Sequence, residues 1–265
     1  MLSLAACSSM TAGDGGGAID GSVAGGGGGA RGGGAGGGVG GGGGEALDAG
    51  PPEPTLVSSI LFRDAFDQYP DVIALRAAYP EIREVGGHIS LARDGGEGAL
   101  ALDYEGDGGC SATDVHVGKI VSGNVPTVLV TWRTRVPSGF HGCGDAGVED
   151  FALTRGPSRT TFERGATGWV VKVGEQRFEQ HARLDTHAPS ALAPDAWHRV
   201  TVFFTRESTP DAGDGVVQVW VDGASVIDLT GPTGTAPFSL ATWPGALGND
   251  AVQSRLVDDL AIATP

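Results

Sequence analysis

Basic residues are scarce in this chain. Its 17 lysines and arginines are outnumbered by 32 aspartates and glutamates, and the formal net charge is −15 at pH 7. A nucleic-acid-binding surface needs a basic face that contacts phosphates, and anionic lipid headgroups attract the same kind of face. We therefore expect no nucleic-acid partner, and we expect any membrane attachment to come from a covalently bound lipid.

Long apolar runs and cysteines are also few. No segment approaches the roughly 18 apolar residues of a membrane-spanning helix, and the chain contains 3 cysteines. Cys110 and Cys143 lie in the glycine-rich segments GGC and GCG rather than in apolar strands. We predict a disulfide between them, which would stabilise the fold by roughly 3–4 kcal/mol through closure of a loop of about 34 residues. The alternative is two free buried thiols.

Glycine is abundant instead, and its distribution divides the chain. Of the 47 glycines, 22 fall within the first 50 residues. This region has too little apolar surface to offset the entropy cost of ordering it. We predict a disordered tether over residues 8–54, with an r.m.s. reach of roughly 35 Å for about 43 glycine-rich residues. The prolines at 51, 52 and 54 stiffen its end, and residues 55–265 suffice for one domain.

Residues 1–7 resemble the end of a bacterial lipoprotein signal. The motif is Leu4-Ala5-Ala6-Cys7, followed by two small serines, and it predicts that Cys7 carries the lipid. An export signal normally has a basic segment and 7–15 apolar residues before the cleavage site. Only six residues without Lys or Arg precede Cys7, so either the true start lies upstream of Met1 or the match is accidental.

Beyond Leu56 the sequence consists of short segments in which apolar and polar residues alternate. Val128, Val130, Trp132 and Val136 share one face of a predicted strand, and residues 200–205 and 217–222 repeat this period of two. Such alternation is typical of half-buried antiparallel strands. Further strands are predicted at 60–63, 88–92, 99–104, 151–155, 160–163, 169–173, 177–181, 225–229 and 255–263, and one short helix at 70–78. The sequence predicts an all-β fold, a two-sheet antiparallel β-sandwich or jelly roll.

Several segments resemble the concanavalin A-like lectin/glucanase superfamily. They are WHRVTV at 197–202, the turn AGDG at 212–215 and VVQVWVDG at 216–223, with LFRDAFD at 61–67 as the opening strand and LVDDLAI at 256–262 as the closing strand. The resemblance covers about residues 58–264 and is closest to the polysaccharide-lyase and laminin-G-like members. It implies the fold, but the superfamily includes both binding modules and enzymes.

Each kind of enzyme in this superfamily requires particular catalytic residues. A retaining glucanase of this superfamily carries Glu-x-Asp-x-x-Glu on one strand, and this chain lacks that motif. A lyase needs a base and a group that neutralises the uronate. The resemblance offers His181 as base, Arg133 and Arg135 as neutralisers, and Lys172. The motifs depart from the alginate-lyase pattern: Gln180-His181 lacks its spacer, residues 170–174 lack the tyrosine and Arg133-Thr134-Arg135 lacks the glutamate.

A carbohydrate-binding role requires fewer specific residues than catalysis does. An aromatic side chain flanked by hydrogen-bonding groups binds sugars on a sheet face. Trp220 shares its predicted face with Gln218, opposite the valines of the same strand, and Arg133 and Arg135 also face away from their apolar neighbours. These four residues are the candidate carbohydrate site. The alternative is that Trp220 is buried by packing.

Oxygen ligands suggest one structural Ca²⁺ as a possible cofactor, and none is required. One candidate set is Asp64, Asp258 and Asp259, because first and last strands often pair in this fold. The other is Asp103, Glu105 and Asp107, with Asp114 eleven residues after Asp103. Together these features predict a monomeric, lipid-anchored protein of the bacterial outer membrane or cell surface that binds carbohydrate or another envelope component without catalysis. The alternative is a lyase that acts on a uronate-containing glycan.

Overall fold

The computed structural model describes residues 51–54, 59–106, 111–121, 123–142, 148–155, 158–165, 168–173, 180–181, 192–244, 246–249 and 251–265. Outside these ranges lie Cys7, Asp107, Cys110 and Cys143. The structure describes the backbone of Lys172 and His181 but not their side chains. Within the described residues, no helix is both long and apolar enough to cross a membrane.

The described part of the chain forms strands almost throughout. In chain order the elements are β1 Ile60–Asp64, α1 Val72–Ala78, β2 Glu81–Val85, β3 Gly87–Asp94, β4 Glu97–Tyr104, β5 Ser111–Ile120, β6 Thr127–Arg135, β7 Val148–Arg155, β8 Ser158–Gly165, β9 Gly168–Val173, β10 Gln180–His181, β11 Trp197–Thr205, β12 Gly215–Val221, β13 Ala224–Gly231, β14 Leu240–Trp243, β15 Ala246–Asn249 and β16 Gln253–Ala263.

Two antiparallel sheets contain these strands. The first sheet has the order β13-β12-β11-β6-β16-β4-β3, and β1 pairs with β16 at its side. The second has the order β10-β9-β8-β7-β14-β5-β15, and β2 pairs with β5. The predicted all-β, two-sheet antiparallel sandwich with one short helix is confirmed.

Aromatic rings from both sheets meet in the core. Trp132 of β6 in the first sheet lies 5.2 Å, centroid to centroid, from Phe151 of β7 in the second. Phe151 also contacts Trp243 at 5.3 Å and Phe162 at 5.5 Å. All four side chains are buried, because alternation along each strand directs one set of side chains between the sheets. The opposite set forms the outer face of each sheet.

A buried ion-pair cluster also joins the sheets. A bulge in β7 follows Glu149, and Asp150 beyond it contacts both Arg164 of β8 and Arg255 of β16. Burial opposes ionisation of Asp150, but the two guanidinium groups outweigh it and hold the pKa of Asp150 below its ordinary value. Removal of either cation would leave a buried carboxylate undercompensated.

Four strands were not predicted: β2, β5, β14 and β15. The most consequential is β5, because the spacing of Asp114 from Asp103 resembles that of the oxygen ligands in a calcium loop. In the structure Asp114 lies inside β5, where its Oδ1 atom is 2.7 Å from His116 Nδ1 and its Oδ2 atom is 2.6 Å from Arg83 Nε. The loop expectation was therefore wrong at this residue, whose carboxylate is used by neighbouring side chains.

Candidate functional site

The outer face of the first sheet carries the arginines that the sequence singled out. Val128, Val130 and Trp132 of β6 point into the core, so the alternate residues Arg133 and Arg135 face outward. Antiparallel register places Arg133 opposite Arg199 of β11. On its other side, Arg133 is opposite Asp258 of β16. The centre of this face is thus rich in guanidinium groups.

A pocket of about 260 Å³ opens at this position. We call it the arginine pocket; its lining includes Arg63, Thr131, Arg133, Arg199, Asp259 and Ala261. Three strands of the sheet and β1 supply these residues, so a single segment of sequence could not reveal the pocket.

Arg133 is held firmly at the base of the arginine pocket. It forms an ion pair with Asp258, its Nε atom lies 2.8 Å from Asp259 Oδ2, and its guanidinium donates to Glu97 Oε2 at 3.2 Å. Asp258 is only 2% exposed, and its Oδ1 atom has no hydrogen-bond partner among the described residues. Burial, reinforced by the neighbouring carboxylate of Asp259, keeps the pKa of Asp258 above its ordinary value despite Arg133.

A β-bulge brings the two aspartates to the same arginine. The register of β16 against β6 shifts between Asp258 and Ala261, and Asp259 adopts a left-handed backbone with φ of 48°. Adjacent residues of a regular strand point to opposite faces, so the bulge is what allows both carboxylates to contact Arg133. Asp tolerates this backbone region better than most residues.

Trp197 borders the same guanidinium and is not among the site residues predicted from the sequence. The centre of its ring lies 5.1 Å from the Arg133 Cζ atom, within cation–π range. Its Nε1 atom donates to Asp94 Oδ2 at 2.7 Å, and Arg135 donates to the same oxygen at 2.9 Å. These hydrogen bonds, that of Trp197 foremost, hold the pKa of Asp94 below its ordinary value. The alternation of Val200, Val202 and Phe204 already placed Trp197 on the outer face.

Trp220 is on the predicted face but is not an open platform. It is 1% exposed, and its Nε1 atom donates to the Pro51 carbonyl at 2.8 Å. The expectation of an accessible tryptophan is therefore corrected: the indole is buried, as in the alternative, and Pro51 contacts it from outside. Gln218 remains on this face and donates to Asp228 Oδ1 at 2.8 Å.

The residues of the alternative lyase site belong to different sheets. Arg133 and Arg135 are on β6 of the first sheet. Lys172 is on β9 and His181 on β10, where His181 is opposite Val170, and both strands belong to the second sheet. A lyase requires its base and its neutralising group at the same sugar, and these strands do not adjoin.

Hydrogen bonds and ion pairs with other residues occupy the first proposed set of calcium ligands, although Asp64 of β1 is opposite Leu260 of β16, next to Asp259. Each Asp64 oxygen already accepts two hydrogen bonds, from Tyr69 and Tyr79 at Oδ2 and from Phe66 and Gln68 at Oδ1, whereas Asp258 and Asp259 contact Arg133. Asp103 accepts from Ser90 at 3.1 Å, and Glu105 is exposed. Across the described ranges, no three His, Cys, Asp or Glu side chains group as a metal site would require.

The outer face of the second sheet holds a separate charged cluster. Glu149 is 5% exposed and forms an ion pair with Arg159 of β8. Burial raises its pKa to about 7, with Arg159 acting against the rise and the carboxylates of Glu163 and Asp114 adding to it. Glu149 is not among the site residues predicted from the sequence, because nothing in a single strand indicates burial of an outward-facing residue.

Comparison with known proteins gives a likeness of structure only. No family model and no curated protein matches the sequence. An alginate lyase, vAL-1, from Chlorella virus superposes with a TM-score of 0.59 at 13% identity, over 78% of this chain and 100% of that one. This chain has the fold of that alginate lyase and of the two structures that follow. An endo-β-1,4-glucuronan lyase from the fungus Trichoderma reesei gives 0.57 at 13% identity, over 78% and 96%. The cellulose-induced protein Cip1 gives 0.53 at 15%, over 77% and 97%.

Proposed function

We propose that the domain is a non-catalytic, concanavalin A-like module that binds a uronate-containing polysaccharide through the arginine pocket. The observation that carries the proposal is the convergence of Arg63, Arg133 and Arg199 on one pocket beside the partly exposed ring of Trp197. Guanidinium groups bind carboxylates in bidentate geometry, and aromatic rings bind sugar faces. Two of the similar structures are named as lyases of alginate and of glucuronan, and both of these are polymers of uronic acids.

The three arginines divide into two kinds. Arg133 is committed to Asp258 and Asp259 and contributes the floor. Arg63 is 67% exposed and 4.0 Å from Asp259, and Arg199 is 51% exposed and 3.5 Å from Glu53. Long ion pairs of exposed arginines contribute little free energy, so a ligand carboxylate can replace them at small cost.

The separation of the lyase residues favours binding over catalysis. A base and a neutralising group on strands of two different sheets cannot act on one C5 proton unless both reach the same groove. Elimination would also generate an unsaturated uronate that absorbs ultraviolet light. Appearance of that absorbance with alginate or polyglucuronate would support the lyase alternative instead.

We further propose that the protein is attached to the bacterial cell surface through a lipid on Cys7, with a Cys110–Cys143 disulfide in the domain. The glycine-rich segment between Cys7 and residue 51 gives the domain the reach to find a polymer at that surface. Mass spectrometry of the protein from the membrane fraction tests both: the N-terminal peptide should carry acyl chains, and non-reduced peptides should include the linked pair.

Titration calorimetry with alginate and glucuronan oligosaccharides tests the binding proposal. The double variant R63Q/R199Q should bind at least about tenfold more weakly, because two charge-assisted contacts are lost. The control R93Q removes an equally exposed guanidinium of β3 that pairs with Asp67 outside the pocket, and it should bind as the wild type does. Equal affinity for neutral cello-oligosaccharides, or unchanged uronate affinity in R63Q/R199Q, would contradict the proposal.

A further inference from the structure

Residues 51–54 lie across the outer face of the first sheet as a short strap. The Pro51 carbonyl accepts the indole N–H of Trp220 at 2.8 Å. The Glu53 carboxylate accepts the Thr201 hydroxyl at 2.5 Å through Oε1. Thr201 and Trp220 are register partners on β11 and β12, so the strap uses two donors that stand side by side on neighbouring strands.

The strap also reaches the arginine pocket. Glu53 Oε1 lies 3.5 Å from Arg199 Nε, and Arg199 is part of the lining of that pocket. The surface beneath the strap is therefore continuous with the pocket through one shared side chain. If the strap were lifted, this surface would expose three groups: the indole N–H of Trp220, the hydroxyl of Thr201 and the guanidinium of Arg199.

Those three groups are the kind that recognise an acidic sugar. A guanidinium and a hydroxyl together bind a carboxylate, and an indole offers a flat apolar face with one donor at its edge. The strap presents a carboxylate and a carbonyl oxygen to the same donors. Its Glu53 carboxylate thus occupies the position in which a ligand carboxylate would satisfy Thr201 and Arg199.

We propose that the strap, residues 51–54, is an internal occupant of a second uronate subsite, and that a bound polyuronate displaces it. This inference rests on the proposed function, because the ligand that enters the arginine pocket is the one that reaches the strap. Consecutive carboxylates of one polymer engage the pocket and the subsite together, so displacement of Glu53 becomes an intramolecular event with a high effective concentration.

Ligand can enter the subsite only in those molecules in which the strap is lifted. The apparent affinity is therefore the affinity of the open subsite multiplied by that fraction. If that fraction is about one tenth, the apparent dissociation constant is about tenfold higher than for the open subsite. A variant that releases the strap should consequently bind more tightly than the wild type. This direction is opposite to the loss expected when a ligand-contacting residue is removed.

The test uses the full chain and two variants of Glu53. E53Q retains a group that can accept from Thr201 but loses the charge that pairs with Arg199, whereas E53A loses both contacts. E105Q is the matched control, since Glu105 is exposed and the charge change is identical. With alginate oligosaccharides we expect affinity to rise about threefold to tenfold in E53A, less in E53Q and not at all in E105Q.

A second measurement reports on the strap itself. The indole N–H resonance of Trp220, assigned by its loss in W220F, should shift when alginate oligosaccharide saturates the wild type. Equal affinity of wild type and E53A, with the Trp220 resonance unmoved at saturation, would overturn the subsite while the binding function stands. Absence of binding in every variant would refute the binding function and the subsite with it. Binding by E53A alone would support both.

Discussion

The carboxylate of Glu149 should make the stability of this domain depend on pH in an unusual direction. Its side chain is buried on the outer face of the second sheet, where Arg159 faces it from β8 together with Glu163, Asp114 faces it from β5 and Arg255 from β16. Burial raises its pKa from 4.5 to about 7. The folded protein therefore binds more protons than the unfolded chain between these pH values.

The sign and size follow from proton linkage. Because the folded-state pKa is the higher one, the contribution of Glu149 to stability is fully present below about pH 4.5 and is lost as the pH rises through about 7. At about 1.36 kcal/mol per pKa unit, the rise to about 7 corresponds to roughly 3 kcal/mol. About 2 kcal/mol of this falls between pH 5.5 and 8, a range above the sequence pI of about 4.6.

Urea unfolding of wild type and E149Q at pH 5.5 and pH 8 measures this effect. The free energy of unfolding of E149Q, relative to that of wild type, should be about 2 kcal/mol higher at pH 8 than at pH 5.5. For a domain of this size that difference corresponds to about 4–8 °C in melting temperature. E105Q changes an exposed glutamate and should show no such difference. If E149Q and wild type respond identically to pH, Glu149 ionises near its ordinary pKa and the burial argument is wrong.

Two further predictions concern stability. R255M should lower the free energy of unfolding by about 3 kcal/mol in urea, because Asp150 stays buried with Arg164 alone; a neutral effect would mean that the cluster is replaceable by apolar packing. D71A should cost about 1 kcal/mol, since the Asp71 side chain caps α1 by accepting from the Ala74 N–H at 2.8 Å; D71N should retain most of that free energy, and equal losses in both would exclude capping as the cause.

The strands with clean alternation were predictable, and so was the face on which each residue lies. The period of two at 128–136, 200–205 and 217–222 corresponds to β6, β11 and β12, and the predicted helix at 70–78 corresponds to α1, Val72–Ala78. Burial of one face against a second sheet imposes that pattern on the sequence. Where the pattern was weak, as in β5 and in the four-residue strands β14 and β15, the prediction failed.

What covers a face was not predictable. The alternation placed Trp220 correctly outward, yet its indole is buried and contacts Pro51, which is 169 positions away in sequence. The arginine pocket has the same origin, since it combines β1, β6, β11 and β16. Register between distant strands decides such neighbourhoods, and one sequence carries no direct signal for it. The bulge at Asp258 adds a local break in alternation that no composition rule anticipates.

Under the proposed function, the two kinds of arginine in the pocket would allow a strongly acidic protein to bind an anionic polymer. Arg133 forms ion pairs with Asp258 and Asp259. It therefore forms the floor of the arginine pocket and compensates the buried carboxylate of Asp258. Arg63 and Arg199 are exposed and form long ion pairs with the partly buried Asp259 and Glu53, and exchange of either partner for a ligand carboxylate leaves the number of ion pairs unchanged. Selectivity then depends on the spacing of rim arginines and Trp197 rather than on net charge, which repels polyanions only over a screened distance of about 10 Å.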